Sequence, residues 1–592
     1  MEKRNKEEIT RKRKIAILSV SALAIGLFLL TFPVFTEAGK MPEYLPEEEK
    51  SIANTVDPWG LAFSDQLVRF RSYFSENDKA PFCLGLAHDL IKIYPNKYWF
   101  RGSTFPADIP AKETELLWAA AGEVQSFQVA VLPRIGTPES TYCLNVKIRG
   151  TKKVEVQIFR EVFVKVSDKA AYPRFSSIYW PDPLIPETKV HLKGLQAGVF
   201  WVDIKLPEDL PASVVKCEVS LTSGKSCAQI IVPIHVVLGL KLKPKDYPFV
   251  GWFRTKRLTS QQRKGMYKMV LAHHMQPIDA LKTTNPEKFD SMHDFLTKHG
   301  QNIFELDLKA VKNGAYQHIK KEGWLARCVI YSNADEPDSE TFQRRNVPYC
   351  KKIHKEYPGL RVYLASDFHP HMEEGCDIWL TDLSASGYNP EKFRKLRKPE
   401  LWHYYCHLPI RWQMRTPLVL APNMQIDNSA LEHRIAFWIS RYYGAQGVFL
   451  YAGFMHHRIQ KEFWQTLTLS DKFSPYPYAG VHNGNGFIAY PPREPSGPVL
   501  PSLRLKIIRD ALEDLALLRI CEQIIKKRML PRTQSKQLRK LLDPKPDLFV
   551  NTHYFNALPE TLLNRRKKIL QFLAQYVCDK EGKVNKFRGV IR

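Results

Sequence analysis

The sequence predicts a multidomain protein of β plus α/β class: an N-terminal β-sandwich, a central (β/α)8 TIM-like barrel and a C-terminal helical cap, preceded by one N-terminal transmembrane or signal segment. Three observations carry that prediction. The 592 residues exceed what one hydrophobic core organises. Residues 111–242 carry short Val, Ile and Phe alternations broken by Gly, Pro, Asn and Ser. Residues 243–480 instead alternate strand-length apolar runs with helix-length amphipathic segments.

The chain opens with Lys3, Arg4, Lys6 and the run Arg11 to Lys14, followed by an uncharged stretch from Ile15 to Phe35. That stretch is long enough to cross a bilayer core, with its positive flank on the cytoplasmic side. Thr36-Glu37-Ala38 also resembles a small-x-small cleavage site, so residues 1–40 read either as a signal anchor or as a signal peptide. Both readings export the rest of the chain, membrane-anchored outside the cytoplasm in the first case, secreted or periplasmic in the second. Residues 41–110 mix acids, prolines and aromatics without a sustained period and read as a linker and an irregular segment.

Strand-sized segments follow: "SFQVAVL", "VEVQIFREVFVKV", "GVFWVDIKL" and "KCEVSLTSGKSCAQIIVPIHVVL", as a sandwich requires. In the barrel region "QQRKGMYKMVLAHH", "PEKFDSMHDFLTKHG", "SETFQRRNVPYCKKIHKEY" and "NPEKFRKLR" have helical spacing, the third with a proline interruption. "RCVIYSNADEP", "LRVYLASDF", "CDIWLTDL" and "LWHYYC" read as strands, and the helical "SALEHRIAFWISRYYG" leads into the strand-like "GVFLYAGF". Residues 481–592 are helical by period, with Leu503, Ile507, Leu512 and Leu515 among the apolar positions of a segment expected to pack on the barrel.

Lys and Arg outnumber Asp and Glu by 87 to 61, a net charge of +26. The excess favours anionic partners, membrane surface, acidic glycan or nucleic acid, without choosing among them. No basic stripe interleaved with aromatics and no nucleic-acid motif accompanies it, so nucleic-acid binding is not expected. The ten cysteines form no CxxC pair, which argues against a zinc ribbon or dithiol site. Cys217 and Cys227 flank a hairpin around "TSGKS" and are either a disulfide, if their strands are in register, or two independent thiols.

Asp335 and Glu336 stand side by side where the apolar run Cys328 to Tyr331 stops, at the strand end where (β/α) barrels place substrate. One account is structural: Asp335 caps the next helix, with Pro337 at the first helical position. The other is glycoside hydrolysis, in which one carboxyl group protonates the leaving oxygen. Neighbouring acids suit the substrate-assisted variant. The sugar's 2-acetamido oxygen attacks its own anomeric carbon, one carboxylate orients the amide and the other serves as acid.

Further motifs run in order along the chain: Glu123, Ser126, Phe127 and Gln128 as "E-x-x-S-F-Q"; Trp201 to Asp203 as "W-V-D"; Tyr331, Asp335, Glu336 and Pro337 as "Y-x-x-x-D-E-P". Ile426-Asp427, Arg434 with Trp438, Gly447 to Tyr451 as "G-V-F-L-Y", and Pro501 to Asp514 as "P-S-x-R-L-x-x-x-R-D-x-L-E-D" continue the series. Together they resemble glycoside hydrolase family 123, the β-N-acetylgalactosaminidases and relatives, with a C-terminal region resembling the domain of unknown function 4091. The resemblance implies a retaining exo-glycosidase acting on terminal β-linked N-acetylhexosamine, with Glu336 as general acid/base and Asp335 positioning the acetamido group. It implies a glycan or glycoconjugate substrate, beside a membrane contact through the N-terminal segment. Ala452 departs from the family, which often has Trp after the Tyr of "L-Y-W", and a lost Trp removes an apolar face for a sugar. The final helix also reads "R-D-A-L-E-D-L" where Gly and Tyr are usual, a change attributed to packing.

Trp252, Trp379, Tyr388, Tyr404, Tyr405 and Trp412 lie in or just after strand ends, where aromatic faces bind sugar or pack a core. Asp382 and Asn389 are candidates for binding hydroxyls or for turns and caps. Tyr331, Asp427 and Tyr451, from the quoted motifs, complete the candidate substrate-binding set. The histidine groups His273-His274, His369 with His371, and His456-His457 lack metal-ligand spacing, so neither a metal nor another cofactor is expected. Two rival readings remain beside the glycosidase: a non-catalytic glycan-binding surface protein, and a glycosidase of different sugar specificity.

Overall fold

Period-two patterning over the N-terminal half pairs ten strands into two facing sheets. In chain order these are β1 (Phe82–His88), β2 (Leu117–Ala120), β3 (Val124–Pro133), β4 (Ser140–Arg149), β5 (Glu155–Lys165), β6 (Tyr179–Ile185), β7 (Lys189–Leu192), β8 (Gly198–Lys205), β9 (Ser213–Ser223) and β10 (Ser226–Val237). One sheet has the order β1-β3-β8-β5-β6 and the other β2-β10-β9-β4-β7. Phe127, Val129, Val131, Phe200, Val202 and Ile204 of the first meet Val215, Cys217, Val219, Leu221, Ile230 and Val232 of the second in a closed core. The structure, a computed structural model, describes residues 79–93, 117–451, 460–469 and 484–576, less 135, 150–152, 167–178, 193–195, 211–212, 238–241, 254, 256–257, 282–285, 384–387, 396, 407–421, 485, 553 and 557. The expected membrane or signal segment Ile15 to Phe35 lies outside these residues, and no helix among them is long and apolar enough to cross a membrane.

One expectation needs correction, and one open alternative is decided. Residues 82–88, expected within an irregular segment, form the edge strand β1, paired antiparallel with β3. Both of its faces are covered, so "FCLGLAH" shows no alternation to betray a strand. Cys217 and Cys227 do flank a tight hairpin, turned at Gly224 with φ +56°, but Cys217 faces Val232 and Cys227 faces Thr222. They sit on different rungs, and both thiols are free.

The barrel strands are β11 (Phe249–Gly251), β12 (Met275–Pro277), β13 (Phe304–Glu305), β14 (Cys328–Tyr331), β15 (Arg361–Ala365), β16 (Ile378–Thr381), β17 (Glu400–Tyr405) and β18 (Gly447–Leu450). Each is parallel to its neighbour in chain order, and β18 pairs back to β11. Between β12 and β13 the ladder thins to the Glu305 N–H donating to Ile278 O at 2.8 Å, so the barrel is nearly closed. Alternation along each strand decides which side chains enter the interior. Val250, Val329, Tyr363, Ile378, Leu380, Trp402, Tyr404 and Phe449 share one inner cluster, with Trp252, Tyr331 and Tyr451 at its edge.

Helices fill the outer ring where expected. Ser260–Ala272 and Ala430–Tyr442 both begin in capping boxes, Thr259 with Gln262 and Ser429 with Glu432. The proline-interrupted segment is helical from Ser339 to Glu356, with one wide turn over Phe342–Asn346 just before Pro348. "NPEKFRKLR" closes only a single turn, Pro390–Phe393.

The C-terminal helix Leu503–Lys526 packs against the helix Ala430–Tyr442 and strand β6. The charged side chains of its first half, from Arg504 to Asp514, are as buried as its leucines, and Arg504, Lys506, Arg509 and Asp514 each meet a charge from elsewhere. Arg504 grips Asp182 of β6 through two bonds of 2.9 and 2.8 Å. Asp203 of β8 accepts from Lys506 at 2.7 Å, Arg509 at 3.0 Å and Trp201 at 2.7 Å, and Ser126 joins Arg509 to it. Asp514 receives a bidentate Arg434 at 2.7 and 2.8 Å, Arg566 at 2.7 Å and Trp438 at 3.0 Å. Arg434 also reaches Asp89, and Arg566 reaches Glu123. Burial alone would raise the Asp203 carboxyl, but Arg509 and Lys506 outweigh it and hold the group far below the usual carboxylate range.

Glu161 of β5 has no such compensation. Among the described residues neither of its buried carboxyl oxygens has a hydrogen-bond partner, and burial pushes the group up to about 8 against the opposing pull of Lys92. A carboxyl raised in the folded state stabilises fully below its unfolded pKa, and that contribution is lost as pH rises to the folded value. Glu161→Gln is therefore expected to flatten the fall in unfolding free energy between about pH 5 and about pH 8, read from denaturant titrations. Asp514→Asn takes one of two carboxylate partners from each of two buried guanidinium groups and should lower the unfolding free energy by about 3–5 kcal/mol. Chemical denaturation of the full-length chain checks that figure.

Candidate active site

Strand β14 delivers Tyr331 to the rim, and the loop Ser332–Asp338 carries both acids before the helix at Ser339 begins. The cap of that helix is Asp338, whose carboxylate accepts from the Thr341 N–H at 2.7 Å. Asp335 therefore does not cap, and Pro337 lies ahead of the cap rather than at the first helical position. Both acids are exposed at the C-terminal end of the barrel.

Successive side chains diverge on a regular strand, so two adjacent acids share a mouth only if the backbone bends. The bend is at Glu336, whose φ of +41° lies in the left-handed region. For a side chain of this size that conformation costs on the order of 1–3 kcal/mol. It is held from three sides. Glu336 N–H donates to Ala365 O of β15 at 3.0 Å, and Ser332 N–H to Tyr363 O at 2.9 Å. The fully buried Asn346 donates to Ser332 Oγ at 2.8 Å and Ala334 O at 2.9 Å. His369, stacked on Phe342, meets Pro337 O at 3.0 Å and Ser339 Oγ at 3.2 Å.

Each acid then takes one phenol from the inner cluster. Tyr331 O–H donates to Asp335 Oδ1, and Tyr404 O–H donates to Glu336 Oε1 at 3.1 Å. Burial first, and then the charge of Asp335, push the Tyr331 phenol far above its usual value; burial dominates for Tyr404, with Glu336 and Asp382 adding to it. Both phenols stay protonated donors, leaving Asp335 Oδ2 and Glu336 Oε2 outside these two bonds. Below them, Glu305 Oε2 accepts from Trp252 Nε1 at 2.8 Å and Tyr363 O–H at 2.9 Å. Trp252 is thereby fixed edge-on to Tyr331 and Tyr451, at 5.4 and 5.7 Å between ring centres.

The structure thus gathers Asp335, Glu336, Tyr331, Tyr404, Trp252 and Tyr451 at one mouth, with Asp382 close enough to Tyr404 to act on its phenol. It does not bring Trp379, Tyr388, Asn389, Tyr405 or Asp427 there. Trp379 and Tyr405 have the opposite strand parity and are sealed behind the wall, Trp379 donating to Ser366 O and Tyr405 packed on Ala436 and Ser440. Tyr388 joins Trp379 outside the wall, with its O–H on His403. Asn389 caps the short helix at Pro390. Asp427 is buried in the segment whose Ile426 and Asn428 carbonyls receive Lys92 at 2.6 and 2.7 Å, and its charge acts on that ammonium. Trp412 and Ala452 lie outside the described residues. Glu305, Tyr363 and Asn346 were missed: Glu305 sits on a strand too short to show a period, whereas parity within "LRVYLASDF" assigns Tyr363 to the interior.

Residues 254–521 match the family model described as Glycoside hydrolase 123, catalytic domain. That stretch is a glycoside hydrolase family 123 catalytic domain. A solved family 123 glycoside hydrolase from Clostridium perfringens, reported for glycolipid glycan hydrolysis, shares the fold with a TM-score of 0.60. It is 11% identical, over 84% of this chain and 98% of that one. Other solved structures are too loosely similar to bear on the site. A GH10 xylanase with a bacterial Ig-like domain from termite gut has a TM-score of 0.22 at 8% identity, covering 68% of this chain and 99% of its own. A putative α-galactosidase from Bacteroides fragilis NCTC 9343 has a TM-score of 0.15 at 10% identity, covering 68% and 77%. No curated protein matches the sequence.

In this family 123 catalytic domain the Tyr404 phenol fixes one oxygen of Glu336 without contributing to the barrel core through its hydroxyl. Tyr404→Phe is expected to keep unfolding free energy within about 1 kcal/mol of the parent. Glycoside turnover should fall at least about tenfold, measured as kcat on any hydrolysed substrate.

Proposed function

We propose that the chain is a retaining exo-glycosidase that removes terminal β-linked N-acetylhexosamine, N-acetylgalactosamine first among them, by substrate-assisted catalysis. The observation that carries this reading is the adjacency of Asp335 and Glu336 on one bent loop, each held by its own phenol. Two acids on one loop approach a sugar from the same side. A pair serving as separate nucleophile and acid instead flanks the ring from opposite sides. The nucleophile is then best supplied by the substrate's own acetamido oxygen.

In that mechanism Tyr331 orients Asp335 so that Oδ2 accepts the acetamido N–H and directs the carbonyl oxygen to the anomeric carbon. The glycosidic C–O bond breaks as the new C–O bond forms, and Glu336 Oε2 gives its proton to the departing oxygen. Water then attacks the anomeric carbon from the vacated face, Glu336 taking its proton, and the cyclic intermediate opens with net retention. Trp252 and Tyr451 supply apolar surface beside the ring. The reading also places the barrel outside the cytoplasm, carried there by the basic and apolar segment from Lys3 to Phe35.

The test is hydrolysis of an aryl β-N-acetylgalactosaminide by the full-length chain beside Glu336→Gln and Asp335→Asn. Turnover should fall by about two orders of magnitude or more in each variant. A plain galactoside should not be turned over. Comparable rates on the two sugars would overturn substrate assistance, and binding without turnover would favour a glycan-binding role.

A further inference from the structure

At the opposite end of the barrel from Asp335 and Glu336, three side chains of different chemistry converge. Cys350 and His354 lie four residues apart near the C-terminal end of the helix Ser339–Glu356, so they share one helical face. Asp377 lies immediately before β16, at the N-terminal end of the barrel strands. His354 Nε2 is 2.8 Å from Asp377 Oδ2 and 3.8 Å from Cys350 Sγ, and all three ligand atoms fall within 4.8 Å of one another. We propose that Cys350, His354 and Asp377 form a binding site for a divalent transition-metal ion, with Zn2+ the best fit.

The argument is geometric. A tetrahedral Zn2+ with Zn–S about 2.3 Å and Zn–N and Zn–O about 2.0 Å sets S to N and N to O edges of about 3.6 and about 3.3 Å. The observed S to N and N to O separations of 3.8 and 2.8 Å lie within about half an ångström of these values, and the S to O edge is within 4.8 Å, so side-chain movement rather than a rebuilt backbone closes the set around an ion. The ligands are also supported. Asp377 Oδ2 accepts from Val362 N–H at 2.7 Å, its own N–H donates to Val362 O at 2.8 Å, and its carbonyl receives Glu400 N–H at 2.8 Å. The carboxylate is thereby anchored to β15 and β17 before any ion arrives. Cys376, next in sequence, is turned away with its thiol on Met372 O at 3.6 Å, which leaves the fourth position to water.

The ligand set of one thiolate, one imidazole and one carboxylate suits Zn2+ or Co2+ and is poor for Mg2+ or Ca2+, which take oxygen alone. Cys350 is buried, His354 is exposed and Asp377 is half-buried, so the site opens to solvent on one side. On binding, the Cys350 S–H proton leaves to solvent as the S–metal bond forms, and neutral His354 donates its Nε2 lone pair. The ion would link the helix that follows the acid loop to the start of β16. The histidine pairs visible in the sequence take no part. The signal was the Cys-x-x-x-His spacing of Cys350 and His354.

The experiment is titration of the chelator-treated full-length chain with Co2+ alone and then Zn2+ alone. One Co2+ per chain is expected, with thiolate-to-cobalt charge-transfer absorption and the intense visible bands of tetrahedral cobalt, bleached by Zn2+. Cys350→Ser should abolish the charge-transfer band. His354→Ala, at an exposed position that the fold tolerates, should weaken Zn2+ binding at least about tenfold. Absence of uptake at stoichiometric metal overturns the proposal, as do spectra that persist unchanged in His354→Ala or weak bands without thiolate character.

Discussion

Six ionisable side chains on one helix, Arg504, Lys506, Arg509, Asp510, Glu513 and Asp514, are removed from water, and the arrangement of layers follows from how four of them, Arg504, Lys506, Arg509 and Asp514, are matched. Their partners come from the sandwich through Asp182 and Asp203, from the barrel through Arg434, and from the last helix through Arg566. Desolvating such groups offsets most of what their attraction returns, so the pairs add little net stability over an apolar core. What they exclude is any docking that leaves a buried charge alone. The sandwich, barrel and terminal helices are thus keyed to one relative placement.

That keying explains what most of the family motifs are for. Glu123, Ser126, Asp203, Arg434, Trp438, Arg504, Arg509 and Asp514 all belong to the buried network and none touches the mouth. Only "Y-x-x-x-D-E-P" and the end of "G-V-F-L-Y" reach it. A sequence signature spread over the whole chain is here mainly a record of how three layers are locked, and the chemistry occupies one loop within it.

The sequence was legible where a period exists. Alternation located the sandwich region and its strands β3, β5, β8, β9 and β10, apolar runs located five of the barrel strands, and helical spacing located the outer ring. It failed at β11, β12 and β13, whose two or three residues are too short to show a period. Helix Leu503–Lys526 was recognised, but the burial of its charges was not, because pattern alone does not distinguish water from a matching ion. At the site, the adjacent acids were plain and the strand ends nominated the right neighbourhood. Strand parity, applied strictly, would have separated Tyr331 and Tyr404 from Trp379 and Tyr405. The positive φ of Glu336 and the transfer of capping to Asp338 depend on tertiary contacts with β15 and Asn346, which no local pattern encodes.

The single loop that carries both acids has a mechanical consequence. Carboxyl groups borne by different strands change their separation whenever a barrel shears or breathes. Here the spacing is set by one peptide link and a bend clamped to a neighbouring strand, so it is nearly independent of barrel deformation. The helix behind the loop, bound to it through Asn346, carries the pair as a rigid block. Tolerance to change should therefore be uneven around the rim: large variation in the other seven loops alters what is admitted, while the reacting distance stays constant.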